Sequence, residues 1–374
     1  MAIRRLVARF VRLVGLTVAA AAVALPGTAG ASPEQAWAIV DVAVVDVAAG
    51  RAVPGQTVLI RGGRIAAVGP SETVAVGDVG IIDGRGRYLL PGLAEMHAHI
   101  PPQPDAGQET LDTLLLYVAN GITLARGMLG APHHLDLRRR AARGEILAPR
   151  IHTSGPSLNG QSVTSPEAGA AMVIAQHEAG YDFLKIHPGL DESSFAAIAA
   201  AANAVGMPFS GHVSAHVGLA AALAAGQASI DHLDEYLPAL LPDDSPRHGA
   251  PSQFFGWNLA AGIDPEKIPL VAAATRDAGV WNVPTQSLIE QLLLAERSAE
   301  ALLARPEMIY VTAQTAQRWA EAKARVMADP AYHPQLARQF VDVRRRLIKA
   351  LHDAGAGLLL GSDAPQVFNV PGFS

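Results

Sequence analysis

Two histidines, His97 and His99, stand two residues apart directly after an apolar stretch that closes on Pro91-Gly92. In a β-strand, side chains two residues apart project from the same face, so both imidazoles can reach one cation. The spacing alone does not distinguish a ligand pair from a chance pair at the end of a strand. The interpretation therefore depends on which other polar side chains the fold brings to the same place.

Four more side chains with metal-binding chemistry lie within or directly after short apolar runs. They are Lys185 in YDFLKIH, His212 in FSGHVSAH, His232 in SIDHLDEY and Asp363 in LLLGSDAP. Neutral imidazole is a common ligand of zinc-like ions. A carboxylate that emerges from a buried parallel strand is expected to bind metal, to accept a proton, or to do both. Together with the two histidines, this set predicts a metal site.

Lys185 is one of only four lysines in the chain, and its neighbours are apolar. Burial of an ammonium without a partner is costly, and desolvation favours the neutral amine. A neutral amine can react with carbon dioxide to give a carbamate, a bidentate carboxylate that can bridge two metals. The alternatives are a lysine that extends from the strand end to solvent, or a salt bridge between Lys185 and Asp182.

The elements that must position these residues follow from the pattern after Pro91, where short apolar strands alternate with Ala-rich segments of helical length. Strands are predicted at residues 93–99, 123–126, 150–154, 183–187, 208–212, 229–232, 280–284 and 357–363. Helices are predicted at residues 109–119, 133–143, 166–179, 192–204, 215–225, 265–278 and 334–354. This alternation predicts an α/β protein with a (β/α)₈ (TIM) barrel that ends before its last helix.

In such a barrel the site lies at the carboxyl ends of the strands, where strands one, four, five, six and eight carry the polar residues named above. Two connections are longer than the barrel requires, at residues 234–264 and 286–333, and the second has a largely helical pattern. We expect them to shape the binding site. Surface decoration or an oligomer contact is the alternative, and homo-oligomerisation is left open.

Residues 37–82 show short apolar alternations that are interrupted by turn residues, with Gly62-Gly63 as a hairpin turn. They predict a small unit of antiparallel strands beside the barrel.

The amino terminus has the features of a secretory signal peptide. Four arginines precede an apolar run at residues 13–25, and small residues follow up to Ala31. We predict cleavage after Ala31 and a periplasmic or secreted protein; an uncleaved membrane anchor is the alternative.

Cleavage leaves 25 basic and 34 acidic side chains, a net charge of −9, which argues against nucleic acid as a partner. The absence of cysteine excludes disulfides and thiolate zinc sites.

These motifs resemble the amidohydrolase superfamily, close to its imidazolonepropionase-like and Xaa-Pro dipeptidase-like members. The segments that carry the resemblance occur in the expected order: GRYLLPGLAEMHAH, ANGITLARGM, YDFLKIH, GHVSAHVGLAAALAAGQASIDH and GSDAP. The resemblance implies that His97 and His99 hold one divalent cation together with Asp363. It further implies that carboxylated Lys185 bridges to a second cation on His212 and His232, with zinc as the expected metal. The domains would then be residues 1–31, a signal peptide; 32–88, strands of a composite β-sandwich; and 89–374, the barrel.

The chain departs from the family pattern at two places. It stops 11 residues after Asp363, where relatives continue with the last barrel helix and with strands that complete the β-sandwich, so a C-terminally truncated form with an incomplete sandwich is expected. Arg126-Gly127 stands in place of the familiar Arg-Asp pair. We expect Arg126 to bind a substrate carboxylate and Tyr236 to contact substrate. His216 is expected to face substrate or to support a ligand residue, with a purely structural role as the alternative, and the role of His187 is ambiguous.

The leading functional hypothesis is hydrolysis of the amide bond of a dipeptide or N-acyl amino acid by a metal-bridging hydroxide, with Asp363 as the catalytic residue that carries the proton. One alternative is a one-metal enzyme that opens a cyclic amide or deaminates a ring, as an imidazolonepropionase-like protein would. A second alternative is a non-catalytic periplasmic protein that binds a metal or a small molecule.

Overall fold

The computed structural model describes residues 36–103, 107–249 and 252–373. The chain forms two compact units, one that ends at Pro91 and one that begins at Gly92. The predicted signal peptide, residues 1–31, lies outside the described residues. Within those residues, no helix combines the length and the apolar character that crossing a bilayer requires.

The first unit is a five-stranded sheet. Its strands are β1 (Trp37–Asp46), β2 (Arg51–Arg61), β3 (Arg64–Pro70), β4 (Gly80–Asp83) and β5 (Tyr88–Leu89). The sheet order is β3-β2-β1-β4, and β5 also pairs with β1.

The predicted hairpin between β2 and β3 is confirmed. Arg61 pairs with Arg64 in an antiparallel register, and Gly62 and Gly63 occupy the turn with φ angles of 56° and 70°. Two consecutive positive φ angles are what a tight two-residue hairpin requires, and glycine adopts them without steric cost. The prediction of antiparallel strands is wrong for β4 and β5, which both pair with β1 in parallel. Residues 71–79 carry the chain past β2 to the far side of β1 instead of turning it back.

The second unit alternates strands and helices. Its strands are β6 (Leu93–Ala98), β7 (Ile122–Gly127), β8 (Arg150–Thr153), β9 (Leu184–Ile186), β10 (Phe209–Gly211), β11 (Ser229–Asp231) and β12 (Trp281–Val283). Its helices are α1 (Gly107–Ala119), α2 (His134–Ala142), α3 (Pro166–Ala179), α4 (Glu192–Val205), α5 (Gly218–Ala224), α6 (Tyr236–Ala239), α7 (Lys267–Asp277), α8 (Gln286–Leu293), α9 (Ala299–Leu303), α10 (Ala313–Ala328) and α11 (Pro334–Ala354).

All strand pairs of this unit are parallel, in the orders β6-β7-β8 and β9-β10-β11-β12. A parallel bridge between Ser154 and Phe183 joins the two sets at β8 and β9.

Residues 358–363 occupy the eighth position of the barrel. Leu358 forms a parallel bridge with Asn282 of β12, and the Met96 N–H on β6 donates to the Leu360 carbonyl at 2.9 Å. The eighth segment therefore connects the last strand to the first, and the predicted (β/α)₈ barrel closes. Residues 364–373 continue as turns.

Helix ends follow their local signals. The α3 helix begins after Ser165, whose hydroxyl accepts a hydrogen bond from the Ala168 N–H, and has Pro166 in its first turn. It ends at Gly180, whose φ of 83° suits a glycine C-cap. The predicted bounds of this helix are confirmed.

The α5 helix is shorter than predicted. The N–H groups of Val217 and Gly218 both donate to the Ser214 carbonyl, and Gly218 has a φ of 73°, so the chain turns before the helix begins. His216 therefore lies in an exposed turn rather than on the first helical turn.

The two long connections are partly helical, and the prediction for the second one is confirmed. The first contains α6 and a 3₁₀ segment, Phe254–Gly262. The second contains α8, α9, a 3₁₀ segment at Pro306–Tyr310 and α10.

Candidate metal centre

A cavity of about 190 Å³ lies at the carboxyl ends of the barrel strands. Its polar lining consists of His97, His99, His187, His212, His232, Asp363 and Gln366. Its apolar lining consists of Phe254, Phe255, Leu288, Leu292 and Val367. The apolar residues come from the two long connections and from the turn after the eighth segment, so the connections do shape this cavity.

The first and eighth strand positions bring two histidines to one carboxylate. The Nε2 atom of His99 lies 2.6 Å from Asp363 Oδ1, and the Nε2 atom of His97 lies 3.5 Å from the same oxygen. Gln366 donates to this oxygen at 3.1 Å. His97, His232 and Asp363 each offer one ligand atom, and these atoms lie within 4.8 Å of one another. A small inward adjustment of these side chains brings all three atoms to the distance of about 2 Å at which one divalent cation binds its ligands.

Three buried polar atoms beside this group make no well-formed hydrogen bond to a described residue and face one another instead: His97 Nδ1 lies 3.1 Å, and Lys185 Nζ 3.5 Å, from Asp231 Oδ2. Buried polar atoms in proteins nearly always form hydrogen bonds, so an imidazole, an amine and a carboxylate gathered here without them are typical of a site that binds a further group. Imidazole and carboxylate donors match the preferences of a zinc-like divalent cation. The residues therefore fit a metal ion.

Three imidazoles of the site, those of His97, His212 and His232, are in the form that binds metals. Burial lowers the pKa of His97 and of His232 well below the ordinary value, and it lowers the pKa of His212 to about 3. The charge of nearby Lys185 acts in the same direction on all three rings. Because only the neutral ring offers a lone pair, these shifts favour metal binding at neutral pH.

Outer hydrogen bonds orient two of these rings. His212 Nδ1 lies 2.6 Å from Asp234 Oδ2, and His232 Nδ1 lies 2.7 Å from the Thr285 hydroxyl. That hydroxyl donates to the Pro284 carbonyl at 2.8 Å, so its oxygen accepts from the Nδ1–H of His232. The Thr285 contact fixes the tautomer of His232 and leaves its Nε2 as the available ligand atom, and Asp234 in its ionised form does the same for His212. Burial raises the pKa of Asp234 to about 8.

Lys185 is completely buried, and its Nζ atom lies 3.5 Å from Asp231 Oδ2. Burial lowers the pKa of this amine, whereas the charge of Asp231 acts in the opposite direction. The alternative of a salt bridge to Asp182 does not form, because Asp182 binds Arg138 at 2.7 Å.

Arg126 is one of the three residues predicted to bind substrate, and its side chain lies inside the barrel. Its Nε atom donates to the Met96 carbonyl at 2.7 Å, and its terminal nitrogen donates to Ser229 at 3.0 Å. The same nitrogen lies 3.4 Å from Asp231 Oδ1. These contacts occupy the guanidinium and place it outside the cavity lining.

The other two residues predicted to bind substrate also lie outside that lining. His216 is exposed in the turn before α5. Tyr236 is completely buried, and its hydroxyl donates to Asn282 Oδ1 at 2.8 Å. A hydroxyl held in this way stabilises the core between β12 and α6 and does not meet a substrate. The structure thus brings five of the six predicted metal ligands to one cavity and places Lys185 beside them through its contact with Asp231, but it does not bring the three predicted substrate contacts there.

Several residues of the site were not found from the sequence. Asp231 and Asp234 flank His232 in SIDHLDEY, so acidic residues beside a candidate ligand were the available signal. Phe254 and Phe255 lie in a connection whose conformation has no periodic signal. Thr285 follows β12 as an ordinary polar residue, and no sequence feature marks it.

The model of the amidohydrolase family matches residues 88–372. Adenine deaminase 3 of Rhizobium meliloti (strain 1021) is 30% identical over 209 residues, which cover 50% of this chain and 34% of that protein. The chain thus matches about a third of the length of this curated relative.

Two solved structures share the fold. Bottromycin amidohydrolase has a TM-score of 0.64 and 21% identity, covering 92% of this chain and 72% of that one. A Xaa-Pro dipeptidase with bound methionine in its active site has a TM-score of 0.58 and 17% identity, covering 88% of this chain and 79% of that one. With the family match over most of its length, the chain belongs to the amidohydrolase family, as the order of its motifs predicted.

Proposed function

We propose that this chain is a metal-dependent hydrolase that cleaves a carbon–nitrogen bond of a small molecule. The observation that carries the proposal is the approach of His97, His232 and Asp363 to one another, beside the buried ion pair of Lys185 and Asp231. The family match supports it, and relatives named as a deaminase and a dipeptidase are enzymes of carbon–nitrogen bonds.

In the binuclear form of the proposal, His97, His99 and Asp363 would hold one cation, and His212 and His232 would hold a second. Lys185, as its carbamate, would supply a ligand to both. Two features support this assignment of Lys185, its complete burial and the lowered pKa of its amine. Zinc suits the imidazole-rich donor set. The chemistry that a bound divalent cation supplies is Lewis acidity, which lowers the pKa of water and polarises a carbonyl.

The protein contributes proton transfer and orientation. Asp363 is positioned by Gln366, which donates to its Oδ1 atom at 3.1 Å, and by His99 at 2.6 Å. Its carboxylate accepts a proton from the attacking water and delivers that proton to the leaving nitrogen. The surrounding burial excludes bulk water from this exchange.

The substrate proposed from the sequence is a dipeptide or an N-acyl amino acid, cleaved outside the cytoplasm after removal of residues 1–31. A second candidate is a one-metal reaction that deaminates a ring or opens a cyclic amide. The similarity to an adenine deaminase favours this second candidate.

Metal analysis of the purified chain, combined with a substrate panel, tests the proposal. The panel contains dipeptides, N-acyl amino acids, neutral amides, cyclic amides and adenine. A metal-to-protein ratio near two supports the binuclear form, and a ratio near one supports the second candidate. Lys185→Ala should lower the ratio and turnover together, whereas Lys349→Ala, which removes an exposed lysine, should change neither. A metal-loaded protein that hydrolyses no member of the panel would favour a binding protein instead.

A further inference from the structure

We propose that the cavity beside the candidate metal ligands contains a subsite for an uncharged aromatic group, so that the preferred substrates are neutral aralkyl amides without a carboxylate next to the scissile bond. The reaction part of this inference rests on the proposed cleavage of a carbon–nitrogen bond, whereas the binding part does not. It replaces the dipeptide or N-acyl amino acid expected from the sequence, because both carry a carboxylate. It is carried by the shape, chemistry and charge of the cavity lining.

An aromatic platform lies against the histidines. The ring of Phe255 is 5.0 Å from the ring of His232 with an interplanar angle of 27°, and 6.1 Å from that of His212 with an angle of 16°. Phe254 packs edge-on against Phe255 at 4.7 Å and remains 38% exposed. Aromatic rings stack favourably with an offset face or an edge of a further ring. The platform therefore offers a surface for a planar group next to the reacting centre.

The backbone holds both phenylalanines in an unusual conformation. Phe254 and Phe255 have φ angles of 34° and 61°, in the left-handed region that residues with a Cβ rarely adopt. Such conformations persist only where surrounding contacts impose them. Here the consequence is that both rings line the cavity.

Aliphatic side chains complete the subsite. Leu288 and Leu292 are four residues apart on α8, so they lie on one face of that helix, and Val367 also lines the cavity. The volume of about 190 Å³ exceeds the roughly 150 Å³ of an apolar cavity that accommodates benzene in another protein. One ring therefore fits within this cavity.

Apart from the metal ligands, the described lining offers no side-chain cation for a substrate carboxylate. Among the described residues, neither arginine nor lysine lines the cavity. Lys185 and Arg126 are buried in the barrel interior, and both face Asp231. The polar lining outside the five candidate ligands that line the cavity is His187 and Gln366. A carboxylate placed among Phe and Leu side chains would lose hydration without gaining a partner, which is costly.

Three amides that share one acetyl group separate the ring from the charge. N-acetyl-2-phenylethylamine has the ring and no charge, N-acetylphenylalanine adds a carboxylate, and N-acetylethylamine lacks the ring. Acetate release by the metal-loaded protein gives kcat/KM for each. We expect the first amide to exceed each of the others by about tenfold or more, as burial of a ring in an apolar site implies.

Variants of the platform test the role of the ring directly. Phe255→Ala should lower kcat/KM for N-acetyl-2-phenylethylamine by about tenfold, mainly through KM, with a much smaller change for N-acetylethylamine. Phe255→Leu keeps the apolar bulk without the ring and serves if the alanine variant does not fold. Ile309→Ala, which truncates a side chain that is 79% exposed, is the control and should leave all three values unchanged.

Calorimetric titration of the metal-free protein with the same amides separates this inference from the proposed function. The metal-free protein could bind N-acetyl-2-phenylethylamine more tightly than Phe255→Ala does, while the metal-loaded protein does not hydrolyse it. That result would support the subsite and contradict the proposed reaction. If N-acetylphenylalanine is hydrolysed or bound better than N-acetyl-2-phenylethylamine, the proposed subsite is wrong, and the proposed reaction is not contradicted. Equal behaviour of the wild type and both Phe255 variants would also overturn it.

Discussion

The carboxylate of Glu95 holds Ser362 through two hydrogen bonds across the barrel seam. The Ser362 hydroxyl donates to Glu95 Oε2 at 2.6 Å, and the Ser362 N–H donates to Oε1 at 2.9 Å. The same Oε1 accepts the His97 N–H at 2.9 Å. Since Ser362 directly precedes Asp363, one buried carboxylate sets the spacing between a candidate ligand on β6 and a candidate ligand on the eighth segment.

Replacement of Glu95 should therefore weaken metal binding as well as the fold. Glu95→Ala leaves two buried N–H donors and a hydroxyl without their acceptor, which should lower the free energy of unfolding by about 2–4 kcal/mol. Glu95→Gln retains one acceptor oxygen and should be milder. Metal content after dialysis against a chelator and urea denaturation measure the two effects. The exposed Glu178→Ala is the control, and undiminished metal retention in Glu95→Ala would refute this role.

Asp231 should be the residue that makes a cationic Lys185 tolerable in the metal-free protein. Asp231 is completely buried, 3.5 Å from Lys185 Nζ and 3.4 Å from Arg126. Asp231→Asn leaves two buried cations without their counter-charge and should lower the free energy of unfolding of the metal-free protein by about 3–5 kcal/mol.

A double-mutant cycle isolates the pair. Lys185→Met combined with Asp231→Asn should be less destabilising than the sum of the two single variants, because each change removes the penalty that the other creates. Denaturant unfolding of the four metal-free proteins gives the coupling free energy. Strict additivity would show that the two side chains do not interact.

The convergence of the candidate ligands was accessible from the sequence because each follows a short apolar run. The alternation of strands and helices predicts a barrel, and the parallel strands of a barrel all end at one edge. The side chains at those ends are therefore expected to meet: His97, Lys185, His212, His232 and Asp363. The bounds of α3 were equally accessible, since a serine N-cap and a glycine C-cap are local signals.

What could not be predicted depends on contacts between distant segments. Arg126 ends the second strand in a position suited to a substrate carboxylate, yet Ser229 and Asp231 from a strand four positions later bind it inside the barrel. The direction of β4 and β5 depends on the path of residues 71–79 across the sheet. The turn residues in this segment do not specify that path. The rings of Phe254 and Phe255 enter the cavity through left-handed backbone angles that no sequence pattern indicates.

His134 should make the barrel unit sensitive to acid independently of the metal. The ring is completely buried; its Nδ1 accepts the Ala131 N–H at 3.2 Å, and its Nε2 lies 3.1 Å from the Pro101 carbonyl. This arrangement requires the neutral tautomer with the proton on Nε2, and protonation of Nδ1 breaks the bond to Ala131. Burial lowers the pKa of His134 to about 4.

The direction of the pH dependence follows from this lowered pKa. The unfolded chain takes up a proton near pH 6.5, whereas the folded protein does so only near pH 4, so the stabilisation is complete above pH 6.5 and is lost as the pH falls to 4. The loss amounts to at most about 3 kcal/mol. His134→Asn keeps an acceptor for Ala131 and cannot titrate, so its stability should depend less steeply on pH between 6.5 and 4. Parallel pH profiles for the two metal-free proteins would contradict this expectation.

Arg344 should support His232 from outside the cavity. Its guanidinium is completely buried on α11 and donates to the carbonyls of His232 at 2.5 Å and Pro284 at 2.6 Å, and to Gln286 Oε1 at 3.0 Å. It thereby joins the loops that follow β11 and β12. Burial lowers the pKa of this guanidinium to about 9.

Lysine cannot reproduce this geometry, because a single ammonium does not span three separated acceptors in one plane. Arg344→Lys should therefore lower the free energy of unfolding by about 2–4 kcal/mol and reduce metal retention at His232. Urea denaturation and metal content provide the two measurements. Arg346→Lys, an exposed change on the same helix, is the matched control. A loss of stability with full metal retention would show that Arg344 stabilises the fold without positioning His232.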